Sequence, residues 1–174
     1  MNYCSHCGAK VEFRIPEGDT IPRFVCPVCH TVHYQNPKIV VGCIPEYKGK
    51  ILLCKRAIEP GYGLWTLPAG FMENHEAADA GAAREALEEA CARVDIGPLY
   101  SFYNLPRLSQ VYLLFRGSLA DENFRAGDET LEVGLFPESE VPWNNIAFTV
   151  VRETLQRYFE DMKRGSYGFY FATL

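Results

Sequence analysis

Three glutamates, Glu85, Glu88 and Glu89, stand within five residues of the stretch "GFMENHEAADAGAAREALEEACAR", Gly70 to Arg93. On a helix they share roughly a third of the circumference, and like charges at these spacings repel by about a few tenths of a kcal/mol per pair. A hard divalent cation removes that cost, because ions such as magnesium take carboxylate oxygens in near-octahedral arrays. The alternative is a solvated face of a surface helix. Against it stand the small supply of nearby positive charge, Arg84 and Arg93, and the Pro- and Gly-containing loop "LPAGFMEN" that leads into the segment. Ala83, Ala86, Leu87, Ala90 and Val94 gather on the opposite side. The expectation is a helix that buries this apolar face and turns its carboxylates into a cleft.

A second set of residues suits a different metal. Cys4 and Cys7 form "CSHC", Cys26 and Cys29 form "CPVC", and two such knuckles supply the four thiolates of a tetrahedral zinc site. A four-thiolate site has no open position, so the zinc is read as structural, holding together residues 1–34, which are too few to bury a core of their own. His6, His30 and His33 lie close enough in sequence to replace a thiolate, but four cysteines are the simpler set. A disulfide framework is the rival reading; the odd total of seven cysteines and the expected reducing compartment oppose it. Cys43 and Cys54, within apolar runs, read as buried strand residues.

The elements that must position these groups follow from periodicity. Pro37 disfavours helix at Asn36 in the linker "YQNPK". Ile39 to Ile44 and Ile51 to Cys54 read as hairpin strands across a turn containing Gly49, and "GLWTLPAG" as a short strand entering the glutamate helix. Further strands are expected at Leu99 to Asn104, Val111 to Leu119 and Leu131 to Phe136. A second helix is expected from about Thr149 to Lys163, with Val150, Val151, Thr154, Leu155, Tyr158, Phe159 and Met162 as its core stripe and Gly165 as its stop. The tail "YGFYFATL" has three open fates: an added strand, packing on a partner subunit, or fraying. Together these give an α/β fold in which helices cover a mixed sheet.

The 174 residues are 48% hydrophobic with a net charge of −5, enough for one domain and a small appendage. No long basic run is present to neutralise phosphates, which argues against nucleic-acid and membrane-surface binding. Met1-Asn2-Tyr3-Cys4 lacks a signal-peptide start and no apolar run approaches membrane-spanning length, so a soluble, cytoplasmic protein is expected.

Gly70, five residues, Glu76, seven residues, then Arg84-Glu85-Ala86-Leu87-Glu88-Glu89 resembles the Nudix box, the signature of hydrolases acting on nucleoside diphosphates linked to another moiety. Two positions depart from it: Cys91 replaces a glycine, and Ala86 a larger aliphatic residue. The cysteine ribbon followed by "YQNPKIVVGC", "GLWTLPAGF" and "LEVGLF" is similar to a zinc-ribbon subgroup that includes ADP-ribose and FAD pyrophosphatases. NADH pyrophosphatases share the layout but carry Ser-Gln-Pro-Trp-Pro-Phe-Pro after the box, where this chain reads "SFYNLPRLSQVYLLF".

The resemblance implies a zinc ribbon over residues 1–34 and a Nudix α/β/α sandwich over 35–174. It further implies magnesium or manganese held by Glu85, Glu88, Glu89 and the Gly70 carbonyl, with Arg84 orienting the glutamates and Glu76 fixing the loop. A base from outside the box is expected, with Glu129 first and Glu132, Glu138 and Glu140 behind it. Phe102, Tyr103 and Tyr112 are candidates to stack on the substrate's ring, Gln110 to read a polar edge or ribose, and Arg107 to clamp a phosphate. The expected activity is hydrolysis of FAD or ADP-ribose by a homodimer. A non-catalytic, nucleotide-sensing module is the competing class.

Overall fold

The first knuckles sit in a region with little apolar interior. In the computed structural model, which describes residues 1–174, β1 (Glu12–Arg14) is exposed along its length. It pairs antiparallel with β2 (Arg23–Val25), which pairs with β3 (Val32–His33). The buried side chains here are Cys4, Pro16, Val25 and Cys26, too few to hold a fold without a cross-link. The chain divides at Pro37/Lys38 into two compact units.

The second unit is built on one mixed sheet. β4 (Lys38–Tyr47) and β5 (Lys50–Arg56) form a hairpin whose two turn residues, Lys48 and Gly49, both have positive φ, 49° and 77°. Such primed turns match the right-handed twist of the flanking strands. β6 (Trp65–Thr66) adds to β5 and β7 (Ala69–Phe71) to β4. After α1 (Ala78–Ala90) come β8 (Val94–Leu105), β9 (Gln110–Leu119) and β10 (Thr130–Phe136). α2 (Thr149–Arg164) and β11 (Tyr170–Thr173) complete the chain. The strand order is β10-β5-β4-β9-β8-β11; β4–β9 and β8–β11 run parallel and the other neighbours antiparallel.

The two helices lie on opposite faces of this sheet. Ile44, Ile51, Leu53, Tyr100, Tyr103 and Leu114 pack against Val150, Val151, Leu155, Tyr158 and Phe159 of α2, and Met162 joins them part-buried. Cys43 meets Ala82 and Ala86 of α1 on the other face, where Leu52 and Cys54 pack with Ala90. Both isolated cysteines are buried and free. No helix is long and apolar enough to cross a membrane.

Two features of α1 correct the helical-wheel reading. Leu87 is 53% exposed, whereas Glu85 and Glu89 are buried with Gly81, Ala82, Ala86 and Ala90. The helix packs through its smallest residues, which lets it approach β4 closely and draws the two glutamates in beside them. Val94 is not on the helix, because Cys91 enters the left-handed region at φ 47° and ends it. Val94 starts β8 instead. Gly165 ends α2 in the same conformation, φ 69°.

The tail forms a strand. Asp161, 1% exposed, accepts hydrogen bonds from the hydroxyls of Tyr100 (3.0 Å) and Tyr170 (2.9 Å) and from the Gly168 amide (3.1 Å). Three donors on one buried carboxylate tie α2, β8 and β11 together, and they hold its pKa below the usual carboxylate range against the opposing effect of burial.

Candidate active site

Strand β7 and helix α1 bring the box residues together. β7 pairs with β4 through Val41↔Gly70 and Gly42↔Ala69, which lays Gly70 directly beneath α1. A side chain at Gly70 would collide with the Glu85 carboxylate. The Gly81 position is tight in the same way, with Glu76 and Val41 against it. Both glycines are required by close approach rather than by backbone conformation.

Arg84 organises the carboxylates. Its Nε donates to Glu76 Oε2 (3.0 Å), and Nη2 to Glu76 Oε1 (2.8 Å) and the Phe71 carbonyl (3.1 Å). Its Nη1 donates to Glu85 Oε1 (2.7 Å) and Glu88 Oε2 (2.8 Å). Glu76 also accepts from the Glu73 amide (2.6 Å). The Arg84 guanidinium, with that amide, holds the Glu76 carboxyl down at about 2. Every nitrogen of Arg84 is thereby spent on fixing the loop and the helix.

The glutamates differ in environment. Glu85 is 8% exposed and Glu89 9%, whereas Glu88 is exposed. Burial, reinforced by the neighbouring Glu85 charge, pushes the Glu89 carboxyl up to about 8 although the Ala69 amide donates to it at 3.4 Å. Burial also raises Glu85, against Arg84. Buried carboxylates facing one another without sufficient positive charge are the condition a divalent cation relieves. The oxygens available are all hard donors, suited to magnesium or manganese. The side chains do not converge as a closed ligand cluster; only the four cysteines do so, since Arg84 draws Glu85 and Glu88 to itself.

These residues line a cleft of about 860 Å³, within the size range of small-molecule sites. Gly70, Arg84, Glu85, Glu88, Glu89 and Glu129 are on its wall, as are Gln110 and Tyr112. Glu129 is delivered by the loop after Gly127, whose amide bonds the Glu89 carbonyl at 3.0 Å and which packs on the backbone of Glu88 so tightly that any side chain would collide with it.

The other expected substrate contacts do not line the cleft. Tyr103 is fully buried in the core beside α2, and Phe102 points to the opposite sheet face, stacked on Phe171 at 5.4 Å. Arg107, in the 3-10 turn Pro106–Leu108, is exposed and is not on the lining, although its neighbour Leu108 is. Glu132 pairs with Lys55 (3.3 Å), Glu138 with Lys163 (2.6 Å), and Glu140 is exposed; none lines the cleft. In their place the wall carries Arg56 and Phe148, which the sequence reading passed over. An arginine at the end of an apolar strand, just before the turn-rich "AIEPGYG", was the available signal.

In the N-terminal unit the Sγ atoms of Cys4, Cys7, Cys26 and Cys29 all lie within 4.8 Å of one another, and all four are free. Four convergent thiols fit tetrahedral zinc. His33 is not among them: its Nε2 lies 3.3 Å from Cys4 Sγ. The Thr31 hydroxyl, 3.2 Å from Cys29 Sγ, lowers that thiol, whereas the neighbouring thiols raise Cys7.

Residues 2–35 match the family described as Nudix N-terminal, a zinc ribbon, and residues 36–157 match the NUDIX domain. A NUDIX hydrolase crystal structure from Nitrosomonas europaea is 59% identical, covers 100% of this chain and 99% of its own, and superposes with a TM-score of 0.97. An ADP-ribose pyrophosphatase of Methanocaldococcus jannaschii is 30% identical over 113 residues, 63% of this chain and 67% of that protein. A MutT-like protein of Streptomyces ambofaciens is 31% identical over 59% of this chain and 64% of its own length. The chain thus spans about two thirds of the length of these curated relatives. With a NUDIX domain over most of its length and a cysteine ribbon before it, the chain belongs to the NUDIX hydrolase family.

Proposed function

We propose that this enzyme is a magnesium- or manganese-dependent pyrophosphatase that hydrolyses ADP-ribose to AMP and ribose 5-phosphate. The observation that carries this reading is the pair of buried carboxylates, Glu85 and Glu89, on the wall of a cleft of about 860 Å³. The named activity of the Methanocaldococcus jannaschii relative supports ADP-ribose ahead of FAD.

In this reading Glu85, Glu88, Glu89 and the Gly70 carbonyl hold the cation. When bound, the cation supplies charge neutralisation for the diphosphate oxygens and makes water a stronger acid. The chain's own residues do the rest. Arg84 keeps Glu85 and Glu88 in register with the loop. Glu129, on the same wall, accepts the proton of the attacking water. The water oxygen then bonds to one phosphorus as that phosphorus releases the bridging oxygen, which leaves on the other phosphate. Tyr112 and Gln110 contact the nucleoside, Tyr112 as a half-buried ring whose hydroxyl burial keeps protonated.

The test is product analysis with ADP-ribose, FAD and NADH, each with magnesium and with chelator. ADP-ribose is expected to give AMP and ribose 5-phosphate fastest, with no turnover after chelation. Faster cleavage of FAD or NADH would reassign the substrate, and tight binding without cleavage of any would favour the nucleotide-sensing module.

A further inference from the structure

The four thiols of the N-terminal unit sit as a metal would hold them. Cys4 Sγ lies 3.6 Å from Cys29 Sγ, and Cys7 Sγ 3.5 Å from Cys26 Sγ. A tetrahedron with zinc–sulfur bonds of about 2.3 Å has an edge of about 3.8 Å. Four thiolates around one divalent ion leave negative charge on the sulfurs. The arginines of this unit are engaged elsewhere, Arg14 with Glu12 (3.5 Å) and Arg23 with Asp19 (3.0 Å), and Lys10 is exposed. The sulfurs are met by hydrogen-bond donors instead. Two are backbone amides of the knuckle turns, His6 onto Cys4 and Cys29 onto Cys26, both at 3.4 Å. Two more groups are side chains: His33 Nε2, 3.3 Å from Cys4 Sγ, and the Thr31 hydroxyl, 3.2 Å from Cys29 Sγ.

One short strand supplies both side chains. Thr31 immediately precedes β3 and His33 ends it, and residues two apart on an extended chain face the same way. The pairs Val25↔Val32 and Phe24↔His33 fix the strand, and the Cys26 amide bonds the Thr31 carbonyl at 3.0 Å. Thr31 and His33 are half-buried, whereas His6 and His30 are exposed. The metal also determines where the protons lie. A free thiol can donate to an imidazole nitrogen, but a metal-bound thiolate can only accept, so His33 must then carry its ring proton on Nε2.

We propose that His33 and Thr31 retain the zinc without ligating it, each donating a hydrogen bond to a metal-bound thiolate, His33 to Cys4 and Thr31 to Cys29. The proposal rests on reading the four cysteines as a zinc site and is independent of which nucleotide the cleft accepts. Donors outside the ligand set fix the orientation of the ligands and stabilise their charge, and losing one typically costs about ten- to a hundredfold in metal affinity.

The experiment is competition for zinc between a chelator and the full chain, in wild type, His33→Phe, His33→Gln, Thr31→Val, Thr31→Ser and His30→Gln. Zinc affinity is expected to fall about ten- to a hundredfold in His33→Phe and in Thr31→Val. His33→Gln and Thr31→Ser, which keep a donor, should recover most of it, and His30→Gln should match wild type. In the nitrogen-15 spectrum of the zinc-loaded protein the His33 proton should be on Nε2, and cobalt-loaded His33→Phe should keep the absorption of a four-thiolate site. Unchanged affinity in His33→Phe and Thr31→Val would overturn the proposal, as would equal losses in the donor-keeping variants, which would mean a packing role. A His33 proton on Nδ1 alone, or loss of the four-thiolate spectrum in His33→Phe, would make His33 a ligand and overturn it too. A wild type that takes up no zinc would remove the metal reading itself, and the proposal with it.

Discussion

Gly70 and Glu85 occupy one space: the carboxylate of Glu85 fills the position where any side chain at residue 70 would begin. β-strand pairing fixes Gly70 under α1, so only the glutamate can move. Gly70→Ala should swing Glu85 out of the cleft. Displacement of a reacting group by about 1 Å costs on the order of a hundredfold in rate. A loss of that size in kcat at saturating magnesium, with the second unit still folded by circular dichroism, is the expected result.

Arg84 should be irreplaceable by lysine. It uses all three guanidinium nitrogens on Glu76, Glu85, Glu88 and the Phe71 carbonyl, and an ammonium cannot span those partners. Residues that orient metal ligands typically contribute about ten- to a hundredfold in metal affinity. The apparent magnesium constant of Arg84→Lys should rise by that factor, read from activity against magnesium concentration.

Without a divalent cation, stability should fall as pH rises. The folded-state pKa of Glu89 is raised from 4.5 to about 8 by burial and by Glu85, so between those values the folded state holds a proton that the unfolded state has released. The contribution is fully present below about pH 4.5 and is lost as pH climbs through 8. Chelated wild type should lose on the order of a few kcal/mol across this window. The loss should shrink in Glu89→Gln and when magnesium is added, as measured by urea unfolding at each pH.

Zinc removal should act on the first unit alone. Its strands are two or three residues long, whereas the second unit has its own core from Ile44 to Phe159. Stripping the metal with a thiol-reactive chelator should expose residues 1–37 to protease and leave Lys38–Leu174 resistant, as read by mass spectrometry of the fragments.

The pattern of residues carried some of this structure and missed other parts for identifiable reasons. Periodicity located β4, β5, β9, β10 and α2 to within a few residues, because each buries a continuous or evenly spaced apolar set. The four cysteines, which converge in the fold, and the clustered glutamates of α1 were legible because each set is one residue type repeated at short spacing, the pattern a metal site would need. The sides of β8 were not readable. The register of β8 against β9 shifts at Ile96/Leu99 and again at Leu99/Ser101, and such irregularities disturb the simple alternation of faces. Simple aromatic content could not separate buried Tyr103 from Phe102 on the other face. Leu87 misled because hydrophobicity ranks it above alanine, yet a helix lying close on β4 has room only for Ala82, Ala86 and Ala90. Arg56 escaped notice because its partners, Pro60, Phe148 and the cleft, come together only in the fold.

The central claim is that buried Glu85 and Glu89 exist to gather a divalent cation, and Mn²⁺ binding followed by electron paramagnetic resonance tests it most directly. Wild type should bind Mn²⁺ in competition with Mg²⁺, and Glu89→Gln should lose that binding together with turnover. Undiminished Mn²⁺ affinity in a folded Glu89→Gln, Glu85→Gln double variant would contradict the account.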